Sequence, residues 1–154
     1  ANYFFKKSKI VSLSDDSGLE ISALDNQPGI YSARWAKKHG NFKKAMKNIL
    51  KRIKKNKNRK AKFICSLSIK LDYEKIVTVI GKIQGKISYK ILGTKGFGYD
   101  PIFIPDRSSV TFGQMNISKK MKIDHRSIAF RKLKKKLKFD KFFIWNFIYI
   151  KFLN

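Results

Sequence analysis

Disulfide staples are excluded at once: the 154 residues hold a single cysteine, Cys65, so cohesion has to come from a buried core. Acidic groups are scarce, 10 Asp and Glu against 36 Lys and Arg, for a formal net charge of +26. Arginine is scarce as well. Only six of the basic residues are Arg and the other 30 are Lys, which leaves few of the planar forks suited to bidentate recognition of bases or phosphates. The longest apolar run, Phe142 to Ile150, is broken by Asn146 and falls far short of the ~20 residues a bilayer-spanning helix needs. A charged start followed by an apolar run and a small-residue cleavage site is also missing, so the expected compartment is the reducing cytoplasm.

What remains is enough to fold. Hydrophobic residues make up 43% of the chain and include 13 Phe, unlike the aromatic-poor composition of disordered chains. This length fits one domain, able to bury roughly two thirds of the surface its unfolded form exposes. The excess charge has two readings, the electrostatic footprint of a nucleic-acid binder or the Lys, Ile, Asn and Phe bias of an AT-rich coding sequence, and composition leaves both open. Ala1 to Lys9 reads as the end of a helix, so the numbering is expected to begin inside an element and the chain to be a fragment.

Ile10 to Asp15 alternates loosely as a strand, ends in an acidic turn at Asp15-Asp16-Ser17-Gly18, and resumes as an extended stretch, Leu19 to Leu24. Asp25 to Gly29 supplies a further turn. From Asn41, the apolar positions Phe42, Ala45, Met46, Ile49, Leu50 and Ile53 trace one face of an amphipathic helix whose other face is nearly all Lys. Lys54 to Lys62 reads as a basic, solvated loop. Phe63, Cys65, Leu67, Ile69 and Leu71 then alternate strictly, and Ile76 to Ile91 is extended with Gly81 and Gly85 as bulge positions. The two strands predict a hairpin around Asp72-Tyr73-Glu74.

Cys65 falls on the apolar face of its strand, as a buried structural thiol does. Beyond the loop Gly93 to Pro105 and a short polar stretch, a final helix is capped by Asp124 and carries Ala129, Leu133 and Leu137 on one side. His39 is expected to be solvated, and Trp35 and Tyr31 to pack. The order of elements predicts an α/β domain around a mixed, largely antiparallel sheet flanked by helices.

Three clusters carry chemistry. Asp15 and Asp16, followed by Ser17 and Gly18, offer oxygen ligands of the kind Mg²⁺ takes, usually one or two carboxylates completed by substrate phosphates. Thr94 to Pro101 combines glycines that admit close backbone approach, aromatic faces for a base, and the carboxylate of Asp100. Lys119, Lys120, Asp124, His125 and Arg126 place phosphate-pairing ammonium groups and a two-donor guanidinium at a helix start.

Four segments, Asp15 to Ile21, Pro28 to Arg34, Gly96 to Phe103, and His125-Arg126, occur in the order and approximate spacing of the inosine triphosphate pyrophosphatase family, which this chain resembles. The resemblance implies an elongated two-lobed domain with the active site in the cleft, acting on inosine, deoxyinosine and xanthosine triphosphates. It implies Asp16 as catalytic carboxylate and metal ligand, with Asp15 beside it on the metal and Ser17 on the substrate. Phe97, Gly98, Tyr99 and Asp100 would enclose the base, Lys120 would match the lysine before the final helix, and His125 with Arg126 would read the purine. Products would be the monophosphate and pyrophosphate, the cofactor Mg²⁺, the assembly a homodimer, and the purpose cleansing of the nucleotide pool.

The resemblance also places the family's opening strand and phosphate loop upstream of residue 1. Residues 1–140 would then form one such domain without those parts, and residues 141–154 an aromatic tail of unknown role. Where the family commonly has Ala-Glu-Met the chain reads Gly113-Gln114-Met115, and Asp124-His125-Arg126 replaces Ser-His-Arg. The competing readings are a basic nucleic-acid-binding protein and a catalytically impaired fragment of the enzyme. Acidic residues concentrated in the candidate site, Asp15, Asp16, Glu20 and Asp100, count against a groove for a phosphate backbone.

Overall fold

The strict alternation from Phe63 is realised in a long antiparallel hairpin that organises the computed structural model, which describes residues 1–137. Phe142 to Ile150 and the tail 141–154 lie outside the described residues. Strands β3 (Lys60–Lys70) and β4 (Ile76–Ile87) pair from Lys60↔Lys86 to Lys70↔Ile76 without interruption. Their turn closes where Asp72 Oδ1 accepts from the N–H groups of Glu74 and Lys75 at 2.9 and 2.7 Å, as Asp does in turns. With β1 (Ser12–Ile21), β2 (Gln27–Gly29) and β5 (Phe103–Pro105) they form one sheet of order β2-β1-β3-β4-β5, antiparallel at every pairing.

Helix α1 (Asn2–Ser8) precedes the sheet, α2 (Ser32–Lys38) and α3 (Phe42–Arg52) follow β2, and α4 (Ile117–Ile123) and α5 (His125–Leu137) end the described chain. The α/β class, the flanking helices and the antiparallel sheet are as the sequence predicts. The amphipathic helix starts at the cap Asn41, whose side chain accepts from Lys44 N–H at 2.9 Å. Asp124 caps α5 through Ser127 N–H at 2.8 Å.

Two expectations are overturned. Asp15 to Gly18 is no bend: β1 runs straight through it, each residue opposite one of β3 from Ser12↔Lys70 to Ile21↔Ala61. Asp, Ser and Gly favour turns locally, but ten residues of cross-strand pairing outweigh that preference. Gly81 and Gly85 are not bulges, since the β3–β4 register never slips. A Cβ at Gly81 would collide with the carbonyl of His125 and the backbone of Ala129; its bare Cα is what lets the first turn of α5 lie on the sheet.

Side chains of a strand alternate between faces, so the unbroken register sorts them. Leu19, Phe63, Cys65, Leu67 and Val79 share one face, where two clusters adjoin. One joins Leu19, Ile21 and Phe63 to Ala45, Met46 and Ile49 of α3 and to Phe103 and Phe112. The other joins Cys65, Leu67, Ile69, Val77 and Val79 to Ala129 and Leu133 of α5. Fully burying each large aliphatic contributes about 1.5–3 kcal/mol. The boundary between the clusters falls at Phe63 and Cys65.

Gly81→Ala should therefore cost about 1–3 kcal/mol of stability, the usual penalty of overpacking, by lifting the start of α5. Chemical denaturation checks this, and a change within 0.5 kcal/mol would contradict it. Arg59 is a structural staple missed in the sequence. Its buried guanidinium donates to the carbonyls of Ile87 at 3.0 Å, Ile53 at 3.2 Å and Ser88, tying the end of α3 to β4.

Candidate active site

The first turn of α5, seated on Gly81, delivers His125 and Arg126 over the row Ser17, Cys65 and Gly81, which are cross-strand neighbours. His125 is 2% exposed and stacks on Phe63 at 4.8 Å between centroids and 11° between planes. Burial first, and Arg126 second, push its pKa down to about 4, so the ring is neutral at neutral pH. Arg126 Nη1 lies 3.3 Å from His125 Nε2. Arg is only a donor, which assigns the imidazole proton to Nδ1, an atom buried without a hydrogen-bond partner among the described residues.

Arg126 is held on two further sides. Its Nε donates to Asp15 Oδ2 at 2.8 Å, and its guanidinium carbon sits 4.7 Å from the centre of the Phe97 ring. Ser17 Oγ donates to the other oxygen of Asp15 at 2.6 Å, and the Cys65 thiol lies 3.6 Å from Oδ2. Burial raises the Cys65 pKa to about 11, so the thiol stays protonated and has the structural character the sequence implies.

Beneath Phe97 is a buried ion pair. Lys120 Nζ contacts Asp100 Oδ2 at 2.6 Å, with the two residues 5% and 2% exposed, and the same oxygen accepts from Phe97 N–H at 2.8 Å. Burial pushes the Asp100 carboxyl up while Lys120 opposes it. Lys120 also sits 4.4 Å from the centre of the Phe97 ring, a cation–π contact. Gly96 has φ +74°, and any side chain there would strike the Asp100 carboxylate, so the loop needs glycine twice over.

These groups surround a cavity of about 150 Å³ lined by Ser17, Phe63, Phe97, Gly98, His125 and Arg126, with Tyr99 and Asp100 also on its wall. Pockets for whole drug-sized ligands run ~300–1,000 Å³, so this one suits a single flat heterocycle. Phe97, 59% exposed, lines the cavity with Arg126 and Lys120 over its ring. Tyr99 is buried, and its hydroxyl donates to Ser32 O at 2.9 Å, so it braces the loop against α2. Phe63, Phe42 and Ser32 are cavity residues missed in the sequence, because a strand or helix pattern reports that a residue is inside and not what it faces.

Ser17, Phe97, Gly98, Tyr99, Asp100, His125 and Arg126 are thus brought together, with Lys120 paired to Asp100 and Asp15 to Arg126. Asp16 is not among them. One residue along β1, it points to the opposite, open face, where it lines a smaller cavity of about 80 Å³ with Glu20, Ile64 and Ser66. Ser17 and Gly18 line both cavities, so the two adjoin at that point of β1.

Asp15 and Asp16 cannot clasp one ion from the same side of the strand. Glu20 shares the face of Asp16 but lies about 13 Å along it and pairs with Lys62 at 2.8 Å. Among the described residues no group of three His, Cys, Asp or Glu could hold a metal. The donor set fits an ion held by one exposed carboxylate, Asp16, and completed by phosphate oxygens and water, the usual manner of Mg²⁺.

Trp35 packs on the core as expected, whereas Tyr31 is 53% exposed and carries Arg34 over its ring at 5.3 Å. His39 is not simply solvated: it stacks on Trp35, and its Nδ1 lies 2.8 Å from Trp35 O. Among the described residues no helix is long and apolar enough to cross a membrane.

A family model described as the Ham1 family matches residues 1–136. A dITP/XTP pyrophosphatase of Clostridium tetani is 43% identical over 130 residues, covering 84% of this chain and 65% of that protein. Another, of Caulobacter vibrioides, is 42% identical over 129 residues, covering 82% and 66%. The chain thus spans just under two thirds of the length of these relatives. The structure of the Staphylococcus aureus Ham1 protein superposes with a TM-score of 0.81 at 33% identity, covering 86% of this chain and 69% of that one. A Coxiella burnetii Ham1 protein superposes at 0.79 with 29% identity, covering the same shares.

Proposed function

Because the chain belongs to the Ham1 family, we propose that it hydrolyses non-canonical purine nucleoside triphosphates, ITP, dITP and XTP, to the monophosphate and pyrophosphate. The names of its relatives, dITP/XTP pyrophosphatases, support the substrate class. The observation that carries the reading is the polarity of the cavity. The Asp100 carboxylate on its wall is already bonded by Lys120 and the Phe97 N–H, and Asp15, on the same face of β1 as Ser17, by Arg126 and Ser17. Of the side chains that line it, Arg126 keeps further N–H groups, and His125 carries a buried Nδ1–H with no partner among the described residues.

A 6-oxo purine offers acceptors to these donors. Adenine presents an amino group there and leaves buried donors unpaired, at a cost of about 1–3 kcal/mol each. In the proposed reaction the base slides between Phe97 and the His125–Phe63 stack, and the phosphates cross β1 at Ser17 and Gly18 to reach Asp16. Asp16 orients water on the α-phosphorus and accepts its proton. The new P–O bond forms as the bond to the bridging oxygen of the β-phosphate breaks, and pyrophosphate leaves. Mg²⁺, held by Asp16 and phosphate oxygens, would neutralise the charge that develops there.

The resemblance carries with it a homodimer, in the cytoplasm, clearing the nucleotide pool, and these belong to the same proposal. Phosphorus NMR of inosine triphosphate incubated with the chain and Mg²⁺ tests the bond cleaved. Pyrophosphate and inosine monophosphate are expected. Orthophosphate and the diphosphate as first products, or steep salt-dependent DNA binding without any hydrolysis, would overturn the assignment.

A further inference from the structure

We propose that Asp15 is a positioning residue for purine selectivity, acting through Arg126 on the tautomer of His125, and not a ligand of the metal. The proposal rests on the reading of the cavity as a purine site. Its basis is a continuous set of contacts that runs away from Asp16. Ser17 Oγ fixes one Asp15 oxygen at 2.6 Å, the other takes Arg126 Nε at 2.8 Å, and Arg126 Nη1 meets His125 Nε2 at 3.3 Å.

Each link sets the next. A carboxylate on Nε, together with the Phe97 ring at 4.7 Å, fixes the plane of the guanidinium, because the fork is rigid. That plane aims Nη1 at the imidazole. With a donor on Nε2, the proton must reside on Nδ1, which is buried and has no partner among the described residues, in a side chain that lines the cavity, and we infer that this N–H is the donor His125 keeps for the base. Without Asp15 the guanidinium is free to turn, the imidazole can take either tautomer, and a ring nitrogen can offer an acceptor to the adenine amino group. The alternation of β1 keeps Asp15 on the cavity face while Asp16 serves the open face.

The test measures binding of inosine and adenosine monophosphates by calorimetry without Mg²⁺, in the wild type, Asp15→Asn, Arg126→Ala and the double variant. Asp15→Asn should lose roughly tenfold or more of inosine monophosphate affinity, the scale of a charge-assisted hydrogen bond, while adenosine monophosphate affinity is kept or gained. In the Arg126→Ala background Asp15→Asn should add no further loss. The Mg²⁺ concentration for half-maximal hydrolysis should be unchanged in Asp15→Asn. If that variant does not fold, Asp15→Glu, which keeps the charge one methylene further out, should give an intermediate preference.

An unchanged preference in Asp15→Asn beside a selective wild type would overturn the role of Asp15. So would an additive loss in the double variant, or a raised Mg²⁺ requirement. A wild type that does not distinguish the two monophosphates would instead overturn the purine-site reading itself.

Discussion

Asp16→Asn should lower kcat for inosine triphosphate hydrolysis by about 10²–10⁴-fold, the range associated with a positioned general base, while leaving the fold intact. Asp16 is exposed on the open face of the sheet and has no ion pair among the described residues, unlike Asp15 and Glu20. Asparagine matches its size, keeps an oxygen, and loses the charge and the basicity. Stability should therefore stay within about 0.5 kcal/mol of the wild type, as for other surface substitutions. Steady-state kinetics with a denaturation curve on the same sample separates the two effects. A kcat within threefold of the wild type would remove Asp16 from the chemistry.

Lys120→Met has the largest expected effect on stability. Removing one partner of a buried ion pair leaves the other charge uncompensated and costs about 3–5 kcal/mol. Here Asp100 would keep only the Phe97 N–H on its Oδ2, and the loop that carries Phe97 and Gly98 would loosen with it. The pH dependence has a definite sign. Burial raises the Asp100 pKa, and without Lys120 only the Phe97 N–H opposes it, so the folded variant shifts further toward the neutral acid. Its deficit against the wild type is largest above the raised folded pKa and shrinks as pH falls from there toward the ordinary carboxylate range, because the folded acid protonates first. Adding Asp100→Asn should restore much of the lost stability. Urea titrations at two pH values decide the matter: a deficit that grows on acidification, or a double variant less stable than Lys120→Met, would contradict the account.

Much of this molecule is legible in its sequence, where local and long-range preferences agree. Helix α3 could be read because four and more apolar positions repeat at helical spacing behind a capping Asn41. Strand β3 could be read because its alternation is strict, and β4 because it is β-branched and extended. The family could be read because its motifs are spread over the chain, and the match over residues 1–136 bears it out.

The illegible parts are those decided across the sheet. Helices α2 and α4 have seven residues each, too few for a period to declare itself. Asp15 to Gly18 has turn-forming composition, and only pairing with Ile64 to Leu67 of β3 makes it a strand. That one difference governs the site, since a bend would have let Asp15 and Asp16 share a ligand while a strand sends them to opposite faces. Gly81 is visible only as a glycine until α5 is seen to lie on it. Phe63 reads as core, and it is core, but it is also the platform for His125.

The ratio of kcat/KM for inosine triphosphate to that for adenosine triphosphate, with Mg²⁺ and no other change, bears most directly on this account. A cavity in which Arg126 and His125 keep unpaired N–H donors predicts a preference of at least about 10²-fold for the 6-oxo purine. Equal values, or a preference for adenosine triphosphate, would contradict it.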